Sequence, residues 1–123
     1  MEREERAQYF GRIAEVLKAM AEPLRLQLLS LLLEGERCVG ELVRETAGSQ
    51  ANVSKHLGVL RQAGLVSCRR DGHSIHYSID DPALFEICGV VGRAIERRLA
   101  DEQRLMSHSR QLMAPDAKSG VGG

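Results

Sequence analysis

The chain has 123 residues, 43% of them hydrophobic and 28% charged, and its 17 basic and 17 acidic side chains give a formal net charge of zero. This length fits one domain with a modest core, and the aromatic share of 3% argues against a base-stacking surface for single-stranded nucleic acid. No apolar run reaches the roughly 18 residues of a membrane span, no secretory signal follows the first residues, and the 3 cysteines make no disulfide framework. We therefore expect a cytoplasmic protein without membrane contact.

The charged side chains are unevenly distributed along the chain. Between Ser49 and His76 there are 4 basic side chains and 1 acidic one, a local balance of +3, whereas many of the acidic residues lie before residue 46. A basic stretch is the electrostatic footprint of a nucleic-acid-binding surface. The segment from Ser49 to His76 is therefore the candidate DNA-binding region, although the total charge is zero.

Two helices are predicted in the first part of the chain. Apolar residues recur at steps of three and four from Phe10 to Ala21, which is the pattern of an amphipathic helix. Pro23 favours the start of a new helix. Leu24 to Glu34 carries leucine on nearly every side, which predicts a fully buried central helix that ends at Gly35.

The next pair of helices forms the candidate DNA-recognition element. A short helix is predicted from about Val39 to Thr46 and a longer one from Gln50 to Ala63, with a break at Gly48 and Ser49 as the cap of the second. The second helix buries an apolar seam and leaves its other face polar. Two short helices joined by a glycine-containing turn are typical of a helix-turn-helix, whose second helix enters the major groove.

A β-hairpin is predicted after this pair, with strands Leu65–Arg70 and His73–Ile79 joined by Asp71-Gly72. An Asp-Gly pair between two such runs is a strong hairpin signal. A loop at these two residues sets Cys68 opposite Ile75, with both side chains toward the core. The basic tip of this hairpin predicts a wing that contacts DNA.

The last part of the chain is predicted to form a long helix with apolar residues along one side. Asp81 and Pro82 predict its start, it continues to about Met113, and residues 114–123 are expected to form a flexible tail. The apolar side of this helix would be exposed to water in a single chain. We expect it to pack together with the first helix in the interface of a homodimer. The residues predicted at this interface are Phe10, Ile13, Leu17, Leu84, Ile87, Cys88, Val91 and Ile95.

These elements predict a mainly α protein with a β-hairpin wing, a homodimeric winged helix-turn-helix in the order α-α-α-α-β-β-α within residues 1–113. Its hydrogen-bonding side chains can read base edges or hold phosphates. The predicted DNA contacts are Ser49, Gln50, Asn52, Ser54, Lys55, His56, Arg61, Arg69, Arg70 and His73.

Several segments together resemble the ArsR/SmtB family of dimeric winged-helix repressors. The segments that carry the resemblance are Ala21–Leu26, Glu36–Leu42, Asn52–Leu60, Gly64–Val66, Asp71-Gly72 and Ile75–Tyr77. The resemblance covers about residues 13–99. It implies a homodimer built on the first and last helices, and repression that is relieved when an inducer binds.

Members of this family commonly sense metal ions, and the chain departs from both of their site types. Cys38 matches the first thiolate of a Cys-Val-Cys box, but Gly40 stands at the second position. Asp81 matches the first ligand of the other site, and the remaining ligand positions hold Ala83, Ala94 and Arg97. Because zinc needs about four ligands, we expect no zinc site and no bound cofactor of this kind.

Two cysteines are candidates for thiol sensing. Cys38 precedes a short helix whose N-terminus can favour a thiolate, and Cys88 lies on an apolar seam where its symmetry mate could approach. Either could bind a thiophilic metalloid or react with a sulfur oxidant. Either could equally be a packing residue, and this is the favoured interpretation for Cys68.

Two alternatives remain open from the sequence alone. The chain could be a winged-helix module that binds protein, or a repressor with no small-molecule inducer. An enzyme is not expected, because no nucleophile–base spacing, phosphate loop or paired carboxylates are present.

Overall fold

The computed structural model describes residues 2–113. By its contacts the chain divides into two compact units, one up to Phe85 and one from Glu86. In the described part of the chain, no helix combines the length and the apolar character that crossing a membrane requires.

The first unit follows the predicted order of elements, with one additional strand. Its elements are α1 (Arg3–Met20), α2 (Pro23–Glu34), β1 (Arg37–Cys38), α3 (Val39–Glu45), α4 (Gln50–Gln62), β2 (Val66–Asp71), β3 (Ser74–Ile79) and a 3-10 turn (Pro82–Phe85). The second unit contains α5 (Glu86–Met113).

Side-chain caps explain where α2 and α4 begin. Glu22 directly precedes Pro23 in the first turn of α2, and one of its carboxylate oxygens accepts a hydrogen bond from the backbone N–H of Arg25 at 3.0 Å. The hydroxyl of Ser49 accepts from the N–H of Asn52 at 3.2 Å, which confirms the predicted cap. Each cap satisfies a donor that has no partner within its helix.

The core of the first unit is aliphatic and is formed mainly by α2, α3, α4 and β2. Its buried side chains are Met20, Leu28, Leu29, Leu32, Leu42, Val53, Leu57, Leu60, Leu65 and Val66. The prediction that α2 is fully buried was wrong, since Leu33 is 46% exposed. This helix packs on one side in the single chain and leaves leucine on the other.

The sheet has three antiparallel strands in the order β1-β3-β2. The two residues of β1 pair with β3, Arg37 opposite Tyr77 and Cys38 opposite His76. The sequence analysis missed β1, because a two-residue strand is too short to show alternating hydrophobicity. This strand joins the segment before α3 to the wing, which is formed by β2, β3 and their turn.

The hairpin register differs from the predicted one. Asp71 pairs with Ser74, so the loop is Gly72-His73, and Cys68 lies opposite Tyr77 and not opposite Ile75. Gly72 has a φ of +63°, and no other residue type in the described chain has positive φ. Positive φ at the first central residue alone fits a type II′ turn, with Gly72 at that position and Asp71 in the strand.

The start of the last helical segment was also predicted differently. The structure has a 3-10 turn at Pro82–Phe85, in which Asp81 Oδ1 accepts from the N–H of Ala83 at 3.0 Å, and only then α5. The tail predicted for residues 114–123 lies outside the described residues.

Candidate nucleic-acid interface

Helix α4 separates its apolar and polar sides sharply. Val53, Leu57 and Leu60 are completely buried. The exposed predicted contacts on the helix and its cap, here called the polar face, are Ser49, Gln50, Asn52, Ser54, Lys55 and Arg61. The core therefore fixes the helix while donors and acceptors on its other side remain accessible.

The turn before α4 is held closely against α2. A Cβ atom built at Gly48 would lie 2.9 Å from Leu24 Cδ2 and 3.1 Å from Val53 Cγ2. A methyl group added here would require the Leu24 and Val53 side chains to shift. Gly48 therefore allows the helix-turn-helix to close at this point.

His56 is the one predicted DNA contact that is not exposed in the single chain. Its side chain is 13% exposed, with Nε2 3.7 Å from Glu22 Oε2, and its Nδ1 lies 3.2 Å from a terminal guanidinium nitrogen of Arg25. Position 56 follows Val53 by three residues and precedes Leu60 by four, so helical spacing places it on the inner side of α4. That spacing could have revealed this orientation. No pattern in the sequence indicated that Glu22 and Arg25 would contact His56.

On the wing, Arg69 is engaged by a carboxylate that the sequence analysis did not include in the site. Its Nε lies 3.1 and 3.0 Å from the two carboxylate oxygens of Glu36, and a terminal nitrogen lies 2.6 Å from Oε1. This hydrogen bonding lowers the pKa of Glu36 below its usual value and raises the pKa of Arg69. The positive charge predicted for the wing is therefore partly neutralised within the chain.

The remaining predicted wing residues are open to solvent. Arg70 and His73 are both exposed, and His73 lies in the hairpin turn. Among the described residues, no hydrogen bond or ion pair engages the side chain of Arg70. Arg70 and His73 can therefore approach a phosphate backbone without first leaving a partner.

The first turns of α4 and the tip of the wing border a common cleft with an open volume of about 430 Å³. Its lining residues are Cys38, Val39, Gly40, Gln50, Ser54, His73, Ser74 and Ile75. The fold thus brings predicted contacts from α4 and from the wing to one concave surface, next to a cysteine.

All three cysteines are free thiols and half-buried. The thiol and the N–H of Cys38 hydrogen-bond to the carboxylate of Glu41, which keeps the pKa of Glu41 below its usual value. Burial raises the pKa of the Cys88 thiol. Within residues 2–113, no group of three or more His, Cys, Asp and Glu side chains is arranged to hold a metal ion.

The predicted dimer residues lie on apolar surfaces of the single chain. The exposed ones are Phe10, Ile13 and Leu17 in α1, Leu84 in the 3-10 turn, and Ile87, Val91 and Ile95 in α5. Cys88 is half-buried. No side chain of α5 is fully buried.

Comparison with known proteins identifies the family. A family model described as bacterial regulatory protein, arsR family, matches residues 22–67. An HTH-type transcriptional regulator of Mycobacterium tuberculosis is 41% identical over 98 residues, which cover 79% of this chain and 86% of the relative. The chain belongs to the arsR family. It is therefore a DNA-binding transcriptional regulator, as the sequence analysis predicted.

Solved structures of arsR-type relatives agree with the winged helix-turn-helix fold. The crystal structure of the Mycobacterium tuberculosis regulator matches with a TM-score of 0.64, covering 77% of this chain and 97% of that one. The repressor BigR of Xylella fastidiosa is 34% identical, with a TM-score of 0.64 over 74% of this chain and 93% of its own.

A third solved relative is the homodimeric winged helix-turn-helix DNA-binding domain of a Mycobacterium bovis protein. It is 31% identical and has a TM-score of 0.68, covering 80% of this chain and 91% of that one. The predicted fold class is thereby confirmed.

Proposed function

We propose that this arsR-family chain acts in the cytoplasm, without catalytic activity, as a dimeric repressor that binds an inverted-repeat operator. The observation that carries the proposal is the polar face of α4, exposed opposite three completely buried side chains. A helix presented in this way can enter the major groove, where amide and hydroxyl side chains distinguish base pairs. The wing beside it supplies backbone contacts.

Exposed apolar side chains support the dimeric part of the proposal. Helix α5 is 28 residues long and has no buried side chain, and α1 exposes Phe10, Ile13 and Leu17. Apolar surface of this extent is typical of a protein–protein interface. The homodimeric state of the Mycobacterium bovis relative points the same way.

Footprinting on the DNA upstream of the chain's own gene, together with sedimentation, tests this function. We expect two protected half-sites whose centres lie about 34–36 Å apart, or a multiple of that spacing, and a dimer at micromolar concentration. A stable monomer that captures a protein and ignores duplex DNA would favour the protein-binding alternative. Increased transcription on binding would contradict repression.

For regulation, we propose that a thiol-reactive inducer, a metalloid or a sulfur oxidant, acts at Cys38 rather than at Cys88. Cys38 lines the cleft beside Gln50 and Ser54, so a group attached to its sulfur would occupy space that DNA needs. The choice of Cys38 rests on this position in the cleft. For Cys88, burial raises the pKa of the thiol, which disfavours the thiolate, the reactive form of cysteine.

Titration of a reduced protein–operator complex with arsenite, a persulfide donor and zinc tests this regulation. We expect arsenite or persulfide to release the wild-type protein and the Cys88→Ser variant, but not Cys38→Ser. Release by zinc in both variants would contradict a thiol mechanism. A complex that resists all three reagents would favour a repressor without a small-molecule inducer.

A further inference from the structure

The carboxylate of Glu36 and the guanidinium of Arg69 form a two-pronged contact across the sheet. Glu36 lies between α2 and β1, 33 residues before Arg69 in β2, and the contact uses both carboxylate oxygens. His76 Nδ1 lies 4.0 Å from Glu36, and Asp71 lies 3.9 Å from another nitrogen of Arg69. Arg69 is thus the one wing arginine that two carboxylates approach among the described residues.

This contact occupies the Nε–H and one terminal N–H of Arg69, which form one of the two edges at which a guanidinium can bind a phosphate through paired donors. The planar guanidinium binds carboxylate and phosphate through the same pair of parallel N–H bonds. The Nε and one terminal nitrogen of Arg69 already point at Glu36. A phosphate can reach these donors only after the carboxylate has moved away.

The pair is exposed enough to be exchanged. The side chains of Arg69 and Glu36 are 56% and 35% exposed, and ion pairs at such sites are weak because water and salt screen them. DNA carries a dense array of phosphates and can compete with one carboxylate.

We propose that Glu36 is an affinity-setting residue of the DNA-binding surface, whose carboxylate competes with backbone phosphate for Arg69 and weakens binding to all DNA sequences alike. The inference rests on the proposed contact between the wing and DNA. Its effect is independent of sequence, because phosphates carry no base identity. Glu36 thereby limits the time that the regulator spends on unrelated DNA.

The Glu36→Gln variant tests this inference, because it keeps the side-chain size and removes the charge. Glu34→Gln is the matched control, since Glu34 pairs with Arg37 at 3.2 Å and does not contact the wing. Arg69→Ala and the Glu36→Gln/Arg69→Ala double variant complete the cycle. Fluorescence anisotropy measures the affinity of each for operator and unrelated duplexes over a range of salt concentrations.

We expect Glu36→Gln to bind both duplexes about two- to fivefold more tightly, the size expected for an exposed pair. The salt dependence should steepen by up to about 0.9, the value of one further phosphate contact. Glu34→Gln should bind like wild type, and in the Arg69→Ala background the Glu36 change should have no effect.

Weaker binding by Glu36→Gln would overturn the inference, because Glu36 would then hold Arg69 in position for DNA. Unchanged affinity and salt dependence, or a gain that persists without Arg69, would overturn it as well. A wild-type protein that binds neither duplex would instead refute the proposed function, and the inference with it.

Discussion

At the scale of single residues, Gly48 is the described glycine whose added Cβ would lie closest to other atoms. We expect Gly48→Ala to destabilise the fold by about 1–3 kcal/mol, because its new Cβ would overlap Leu24 and Val53. Gly58→Ala is the matched control. A Cβ there meets nothing within 4 Å, and alanine in the middle of a helix should stabilise by about 0.5–1 kcal/mol.

Urea denaturation of both variants measures these changes as shifts of the midpoint. We expect the midpoint to fall for Gly48→Ala and to rise for Gly58→Ala. Equal midpoints for Gly48→Ala and wild type would show that the Leu24 and Val53 side chains can shift at this turn without measurable cost.

The reactivity of the Cys88 thiol should depend on pH in a way that its surroundings predict. Burial raises the pKa of its thiol, and only the thiolate reacts with iodoacetamide. The alkylation rate of native Cys88 should therefore rise with pH later than that of the same thiol in the urea-unfolded chain, and should still be rising above pH 9. Mass spectrometry of peptides labelled over a pH series measures both curves, and coincident curves would contradict a raised pKa.

Single residues also mark the contacts that sequence reasoning did not find. His56 was assigned to DNA because imidazole forms hydrogen bonds, yet its position in the helix turns it toward Glu22 and Arg25. Arg69 was assigned to DNA on its charge and its place in the hairpin wing. Its partner Glu36 lies 33 residues away, and no local pattern could show that the two would meet.

At the scale of elements, α4 offers a test of base reading. Gln50 is exposed in the first turn and lines the cleft, where recognition helices contact base edges. Gln50→Ala should cost about 1–3 kcal/mol of discrimination at one operator position. Gln62→Ala, at the other end of the same helix, should leave discrimination unchanged.

Competition binding with single-base operator variants measures this discrimination. A uniform loss at all operator variants for Gln50→Ala would mean that Gln50 holds phosphate and does not read a base.

The elements that the sequence predicted well are those with a long periodic signal. The apolar seam of α4 and the cap at Ser49 were both found, because steps of three and four and a capping hydroxyl are local features. The strand β1 and the hairpin register were not. The register depends on which residue of the turn takes positive φ. Of Asp71 and Gly72, only Gly72 does.

At the scale of the whole molecule, the proposed dimer depends on α5. Ile95→Glu places a charge on the exposed apolar side of this helix and should dissociate the dimer, because a buried unpaired carboxylate is costly. Arg97→Glu is the matched control, since it adds the same side chain about half a turn away. Sedimentation at micromolar concentration distinguishes the two, and a dimer in both variants would contradict this interface.

Helix α5 contributes no buried side chain within one chain. A long helix in water gains most of its stability from packing, so this one should depend on a second copy for its order. Mass action then links folding to abundance. We expect the melting temperature to rise with protein concentration, and we expect α5 to become sensitive to proteases when the protein is diluted. A cell that holds few copies of the protein would therefore degrade them faster than a cell that holds many.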